Sequence, residues 1–126
     1  MSDTTSTASL FAIARTNTIL YCAQWAATVT FYRDQLALPV THATDWFVEF
    51  HLGAESYLSV ADSGRATIRN VQGQGITLSW QVTDLATIQR QLDALGITTT
   101  PIKRKWGADV LYLHDPEGHR IELWAK

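Results

Sequence analysis

Hydrophobic and polar residues follow the same order twice along this chain. In Ile76–Val82, Ile76, Leu78, Trp80 and Val82 face one way and Thr77, Ser79 and Gln81 the other, which predicts a strand. Thr83-Asp84 is a helix start, Leu85, Ile88, Leu92 and Leu95 form an apolar stripe, and Gly96 is a stop. Ile97–Lys105 reads as an edge or irregular strand because Pro101 lacks an N–H. A hairpin closes the chain. Residues 109–114 and 119–124 are its strands and Asp115-Pro116-Glu117-Gly118 its tight turn. In the last strand Ile121 and Leu123 face one side, and Arg120, Glu122 and Trp124 the other. The first half reads likewise. Thr18–Ala23 is a strand, and Gln24–Leu36 is an amphipathic helix with Trp25, Val29, Tyr32 and Leu36 at helical spacing. A short strand starts at Leu38-Pro39-Val40, and Trp46–Leu52 and Ser56–Ala61 follow, joined at Gly53. Residues 62–74, with Gly64 and Gly73, read as a linker in which 65–71 forms a short helix or an extended arm.

The halves overlay by residue type. At an offset of 60, Thr18–Ala23 lies over Leu78–Thr83, and Trp46 over Trp106. At 63, Leu58-Ser59-Val60 lies over Ile121-Glu122-Leu123. This is an internal strand–helix–three-strand repeat. It predicts an α+β fold: two βαβββ modules forming curved mixed sheets around a cleft. Residues 1–15 are expected to be a flexible tail. The domain spans 16–126, with module one at 16–62, the linker at 63–74 and module two at 75–126.

Composition narrows the function classes. The 126 residues are 46% hydrophobic and 17% charged, so the chain is expected to be a single globular domain. A net charge of −2 with mixed signs gives no electrostatic case for nucleic acid or an anionic membrane as partner. No apolar run approaches the ~20 residues of a membrane span, and no signal-peptide core is present, so the expected location is cytoplasmic. The single cysteine, Cys22, excludes an internal disulfide and sits in an apolar pattern that predicts a buried, inert thiol. Five tryptophans predict a Trp-rich core or, alternatively, indoles lining an aromatic cleft.

Candidate chemistry centres on Glu122, a mid-strand carboxylate. It is open to three roles: metal ligand, acceptor for a bound ligand, or solvated strand residue. Arg120 and Arg104 are its candidate partners. If the repeat places the non-core faces inside, Thr77, Ser79 and Gln81 with Asn17, Ile19 and Tyr21 make a polar floor suited to a neutral polar ligand. Trp106 and Trp124 could stack a planar one. Glu49 and His51 share a strand face, His114 lies beside the closing turn, and His119 is expected to hydrogen-bond locally. No Ser-His-Asp or Cys-His arrangement follows from these spacings.

Three blocks carry a family resemblance: Phe31-Tyr32-Arg33-Asp34-Gln35-Leu36, the βαβββ repeat, and Asp115-Pro116-Glu117-Gly118-His119-Arg120-Ile121-Glu122-Leu123. Over residues 16–126 the chain resembles the vicinal oxygen chelate superfamily, which includes glyoxalases, bleomycin resistance proteins and dioxygenases. Ala37 stands where that family usually has Gly, a change expected only to stiffen the turn. The resemblance implies four converging ligand positions in metal-using members, which fall on Asn17, Ser59, Thr77 and Glu122. Only Glu122 is a good ligand for a divalent transition metal. The resemblance therefore implies a protein that binds a small, planar or aromatic molecule in its cleft as a homodimer, with no cofactor expected, as metal-free members that sequester antibiotics do. The other reading is a metal-dependent lyase, isomerase or ring-cleaving dioxygenase using Glu122.

Overall fold

The structure, a computed structural model, describes residues 9–126. Residues 1–8 of the expected tail lie outside the described residues. Residues 9–15 are exposed and without regular structure. From there the chain runs β1 (Thr16–Cys22), α1 (Trp25–Thr30), β2 (Val40–Ala43), β3 (Phe47–Gly53), β4 (Ser56–Asp62), β5 (Thr77–Gln81), α2 (Leu85–Ala94), β6 (Lys103–Lys105), β7 (Ala108–His114) and β8 (Arg120–Ala125). Two four-stranded sheets result, ordered β1-β4-β3-β2 and β5-β8-β7-β6. In each, the first strand lies parallel to the last and the remaining pairs are antiparallel. This is the two-module α+β fold that the repeat predicts.

The repeat extends to the register. Thr18 pairs with Leu58 and Ile19 with Ser59 in sheet one; Leu78 pairs with Ile121 and Ser79 with Glu122 in sheet two. The offsets of 60 and 63 read from the sequence are thus the equivalences of the two sheets. Because side chains alternate, a shared register gives each module the same assignment of residues to its two faces.

One face of each sheet packs under its helix. Leu20, Phe50, Leu58 and Val60 meet Val29 and Tyr32 in module one, and Leu78, Leu111, Ile121 and Leu123 meet Leu85 and Leu92 in module two, all within one continuous core. Each such side chain contributes about 1.5–3 kcal/mol when fully buried. The Trp-rich core is not found. None of the five tryptophans is buried; Trp25, Trp46, Trp80 and Trp124 are half-buried and Trp106 is 81% exposed. Aliphatic residues with Phe31, Tyr32 and Phe50 fill the interior instead.

Three further elements differ from the sequence reading. The helix over 24–36 is α-helical only to Thr30 and widens to a π turn over Phe31–Gln35, closed by Leu36 N–H to Phe31 O at 2.9 Å. That turn buries the adjacent rings of Phe31 and Tyr32, packed edge to face at 5.1 Å. The strand over 97–105 shrinks to Lys103–Lys105. Thr100 holds Tyr112 once through its backbone N–H and once through its hydroxyl, both at 2.9 Å, and Pro101 then interrupts the ladder. Ala37 does more than stiffen its turn. Its φ of +59° lies in the left-handed region, where a Cβ is strained.

The modules are joined by a buried aspartate. Asp115, 4% exposed, accepts the Tyr32 hydroxyl at 2.7 Å through Oδ2. Its Oδ1 accepts the backbone N–H groups of Glu117, Gly118 and His119 at 2.9–3.0 Å. His119 Nδ1 lies 2.8 Å from Oδ2. Glu117 in turn accepts the backbone N–H of Gln24, which precedes α1, at 2.7 Å. The linker also touches the turn. A Cβ on Gly73 would stand 2.3 Å from the Gly118 carbonyl carbon, so only glycine fits there.

Burial pushes the Asp115 carboxyl up, but the bonds from His119, Tyr32 and the backbone outweigh it and hold the group below the usual carboxylate range. Its stabilisation is therefore complete above the unfolded value, about 3.9, and is lost as pH falls through the lower folded value. Tyr32→Phe, which takes one donor from this carboxylate, is expected to cost about 1–3 kcal/mol at pH 7 in urea unfolding, and less at pH 2–3. An unchanged midpoint at pH 7 would show that the junction is not what joins the modules. Ala37→Gly is expected to raise stability by roughly 0.5–1 kcal/mol in the same measurement, since relief of the left-handed strain exceeds the entropy glycine adds to the unfolded chain. A loss of stability would mean that the turn is not left-handed.

Candidate functional site

Alternation along β8 puts Glu122 on the face away from the core. The register places it between Ser79 of β5 and Tyr112 of β7. Both neighbours donate to it: the Ser79 hydroxyl to Oε1 at 2.5 Å and the Tyr112 hydroxyl to Oε2 at 3.0 Å. Burial and the adjacent Glu122 carboxylate raise the Tyr112 phenol above its ordinary value. Arg120 shares this face. Its Nε donates to the Thr77 hydroxyl at 2.9 Å, and its guanidinium lies 4.6 Å from the Tyr112 ring centre. Neither arginine named from the sequence is the partner of Glu122, because Arg104 pairs with Asp109 at 3.2 Å. The hydroxyls of Ser79 and Tyr112 take that place.

A cavity of about 320 Å3 opens over the carboxylate, lined by Ser79, Trp106, Ala108, Val110, Glu122 and Trp124. It gathers four of the predicted site residues on one sheet. Thr77 lies one pleat further along β5, and Gln81 lines a different, larger depression of about 580 Å3 whose walls carry no charged side chain. That depression lies partly over the helix side of the strands, at Trp80 and Val82, so the smaller cavity with its carboxylate and indoles is the better candidate.

Asn17, Tyr21 and Ser59 lie on the other sheet. Ser59, fully buried, donates to Asn17 Oδ1 at 2.8 Å. The Asn17 amide lies 3.4 Å from Glu49, which also accepts from Arg15 at 2.9 Å and Thr41 at 2.8 Å. Arg15 stacks 3.7 Å from the Tyr57 ring centre. The Thr41 hydroxyl, and after it Arg15, outweigh partial burial and hold Glu49 below the usual carboxylate range. Tyr21 lines a separate hollow with Ile68, Val71, Ile76 and His119. Glu49 and His51 share a face, as the spacing requires, but the His51 ring meets the Ala54 carbonyl at 2.7 Å. His42 and His114 are exposed, and His119 belongs to the module junction.

Tyr112 is a participant that the sequence reading passed over. Counting back from the closing turn pairs His114 with Arg120 and therefore Tyr112 with Glu122, so the hairpin itself carried the signal for Tyr112. Glu49 occupies the equivalent position in module one, beside Ser59.

The four chelate positions of the resemblance carry a weak donor set. Glu122 has one anionic group, engaged by two neutral hydroxyls. Thr77, Asn17 and Ser59 offer a hydroxyl, an amide and a hydroxyl, already bonded to Arg120 and to each other. Such donors do not fit a tight transition-metal site, which calls for imidazole, thiolate or further carboxylate. Among the described residues, no three His, Cys, Asp or Glu side chains converge as a metal-holding group. Nor is any helix among them long and apolar enough to cross a membrane.

The glyoxalase-like domain family matches residues 16–125. Among solved structures, the chain is similar to a lactoylglutathione lyase from Agrobacterium tumefaciens, at 26% identity and TM-score 0.72 over 90% of this chain and 92% of that one. A glyoxalase/bleomycin resistance protein/dioxygenase from Nocardioides shares 20% identity at TM-score 0.75, over 93% and 85% of the two chains. A glyoxalase family protein from Enterococcus faecalis shares 21% at TM-score 0.69, over 91% and 98%. The last two likenesses show the fold alone. No curated protein matches the sequence.

Cys22 is buried beneath the junction. Burial first, then the charges of Glu117 and Asp115, push its thiol up to about 12. Its thiolate is therefore scarce at neutral pH. Iodoacetamide at pH 8 is expected to leave the native protein unlabelled by mass spectrometry and to label it fully in urea. Rapid native labelling would show that the junction opens readily.

Proposed function

This chain belongs to the glyoxalase-like domain family of the vicinal oxygen chelate superfamily, and from that premise we propose that it binds a small planar molecule in the Glu122 cleft without a catalytic metal. The observation that carries this reading is the pairing of a hydroxyl-bonded carboxylate with two indoles around one cavity. A flat ring fits against Trp124, with Trp106 at the rim, and polar substituents meet Ser79, Tyr112 and Glu122. The volume is at the small end of ligand pockets, about 300–1,000 Å3. In this reading the chain works as a homodimer. The non-core faces carry exposed apolar side chains, Ile19 on sheet one and Trp106 at the edge of sheet two, which a second copy would cover.

The likeness to a lactoylglutathione lyase supports a second reading, a metal-dependent enzyme in which Glu122 is one ligand. The donor chemistry around Glu122 weighs against it.

Two measurements on untagged protein separate the readings. Elemental analysis after incubation with manganese, iron, nickel or zinc and desalting is expected to find no stoichiometric metal. Metal retained by the wild type and lost in Glu122→Ala would replace binding with metal chemistry. Quenching of tryptophan fluorescence by planar aromatic compounds is expected to saturate, and Trp124→Phe to weaken binding about tenfold or more through lost stacking. Binding unaffected by Trp124→Phe would move the ligand out of this cleft.

A further inference from the structure

Val110 walls one side of the Glu122 cleft. On the far side of that residue a second hollow of about 210 Å3 is lined by Thr100, Pro101, Lys103, Lys105, Val110 and Tyr112. Val110 also lines the Glu122 cavity, and the Tyr112 hydroxyl is bonded to Glu122, so the two hollows share a wall.

The short strand β6 sorts its three basic residues between two faces. Lys103 pairs with Val110 and Lys105 with Ala108, residues that line the hollows, whereas Arg104 pairs with Asp109. Paired residues share a face, so the arginine turns away and is neutralised by Asp109 at 3.2 Å. Neither lysine joins an ion pair among the described residues. Lys105 is half-buried, and its ammonium lies 5.1 Å from the centre of the Tyr112 ring and 5.7 Å from that of Trp106. With Arg120 the face carries three cations against the single carboxylate of Glu122, in a chain whose net charge is −2. Lysines on an edge strand also deter pairing with other sheets. Edge protection, however, does not account for two of them lining a hollow that adjoins an aromatic cavity.

We propose that Lys103 and Lys105 form an anion subsite, and that the ligand of this cleft is a planar aromatic acid. The ring occupies the Trp106–Trp124 hollow, and its carboxylate crosses Val110 to the two ammonium groups. This deepens the binding reading above and rests on it. A carboxylate on this face gains charge-assisted hydrogen bonds and a field weakened by salt, whereas an uncharged isostere keeps only the stacking.

Isothermal titration calorimetry with 2-naphthoate and 2-naphthamide tests it, using wild type and the Lys103→Gln/Lys105→Gln double variant, with circular dichroism as the check on folding. Wild type is expected to bind the naphthoate about tenfold or more tightly than the amide at low salt. In the double variant the preference falls to within about twofold, chiefly through loss of naphthoate affinity, and Lys103→Arg/Lys105→Arg restores it. Equal binding of the two compounds by wild type would overturn the anion subsite and leave the cleft reading standing. Equal weakening of both by the glutamine variant would also overturn it, since the lysines would then act only on the shape of the cleft. Binding of neither compound would remove the cleft reading and this inference with it.

Discussion

A single buried carboxylate organises this molecule. Asp115 sits at the start of the closing turn and accepts three successive backbone N–H groups through one oxygen, which fixes the turn. Its other oxygen takes the hydroxyl of Tyr32 and faces the ring of His119. One side chain thus shapes the last hairpin and ties it to the helix of the opposite module. A charge so buried would be costly without partners; fully bonded, it helps fix one arrangement of two sheets that also share a core. The register of β8 follows from that turn, and the position of Glu122 follows from the register.

Much of the fold was legible because its signals are local and repeated. Alternation in 76–82 and 119–124, helical spacing in 85–95, and the matching order of the two halves all survive in the structure. The parts that were not legible depend on contacts distant in sequence. The π turn at Phe31–Gln35 accompanies the reach of Tyr32 to a residue 83 positions away, which no local periodicity encodes. The truncated β6 reflects Thr100 spending its hydroxyl on the backbone of Tyr112. The five tryptophans misled for another reason. Composition counts indoles without saying which face carries them, and here four are half-buried and one lies open.

The candidate site was legible in which residues share its face and not in their pairings. Alternation assigned Glu122, Trp124, Ser79 and Thr77 to one face correctly. Charge complementarity pointed to Arg120 as the partner of Glu122, but two residues along a strand stand about 6.6 Å apart, and cross-strand neighbours come closer. Ser79 and Tyr112 are those neighbours. The same geometry shows how the modules diverged within a common register. Module two carries a carboxylate on its last strand beside a phenol on the strand next to it, and module one carries a hydroxyl on the last strand beside the carboxylate of Glu49. The carboxylate has traded strands between the modules, and its donors differ: Glu49 is met by Thr41 and Arg15, while Ser59 donates to Asn17.

The contact of Gly73 with Gly118 bears on how the molecule comes apart. Two stretches of main chain, one leaving the first module and one turning inside the second, lie too close for any side chain between them. Neither sheet can peel away without stripping the other of packing and hydrogen-bond partners. The halves are copies by pattern, yet each holds hydrogen-bond and packing partners that the other needs, so the two are expected to unfold together rather than one at a time.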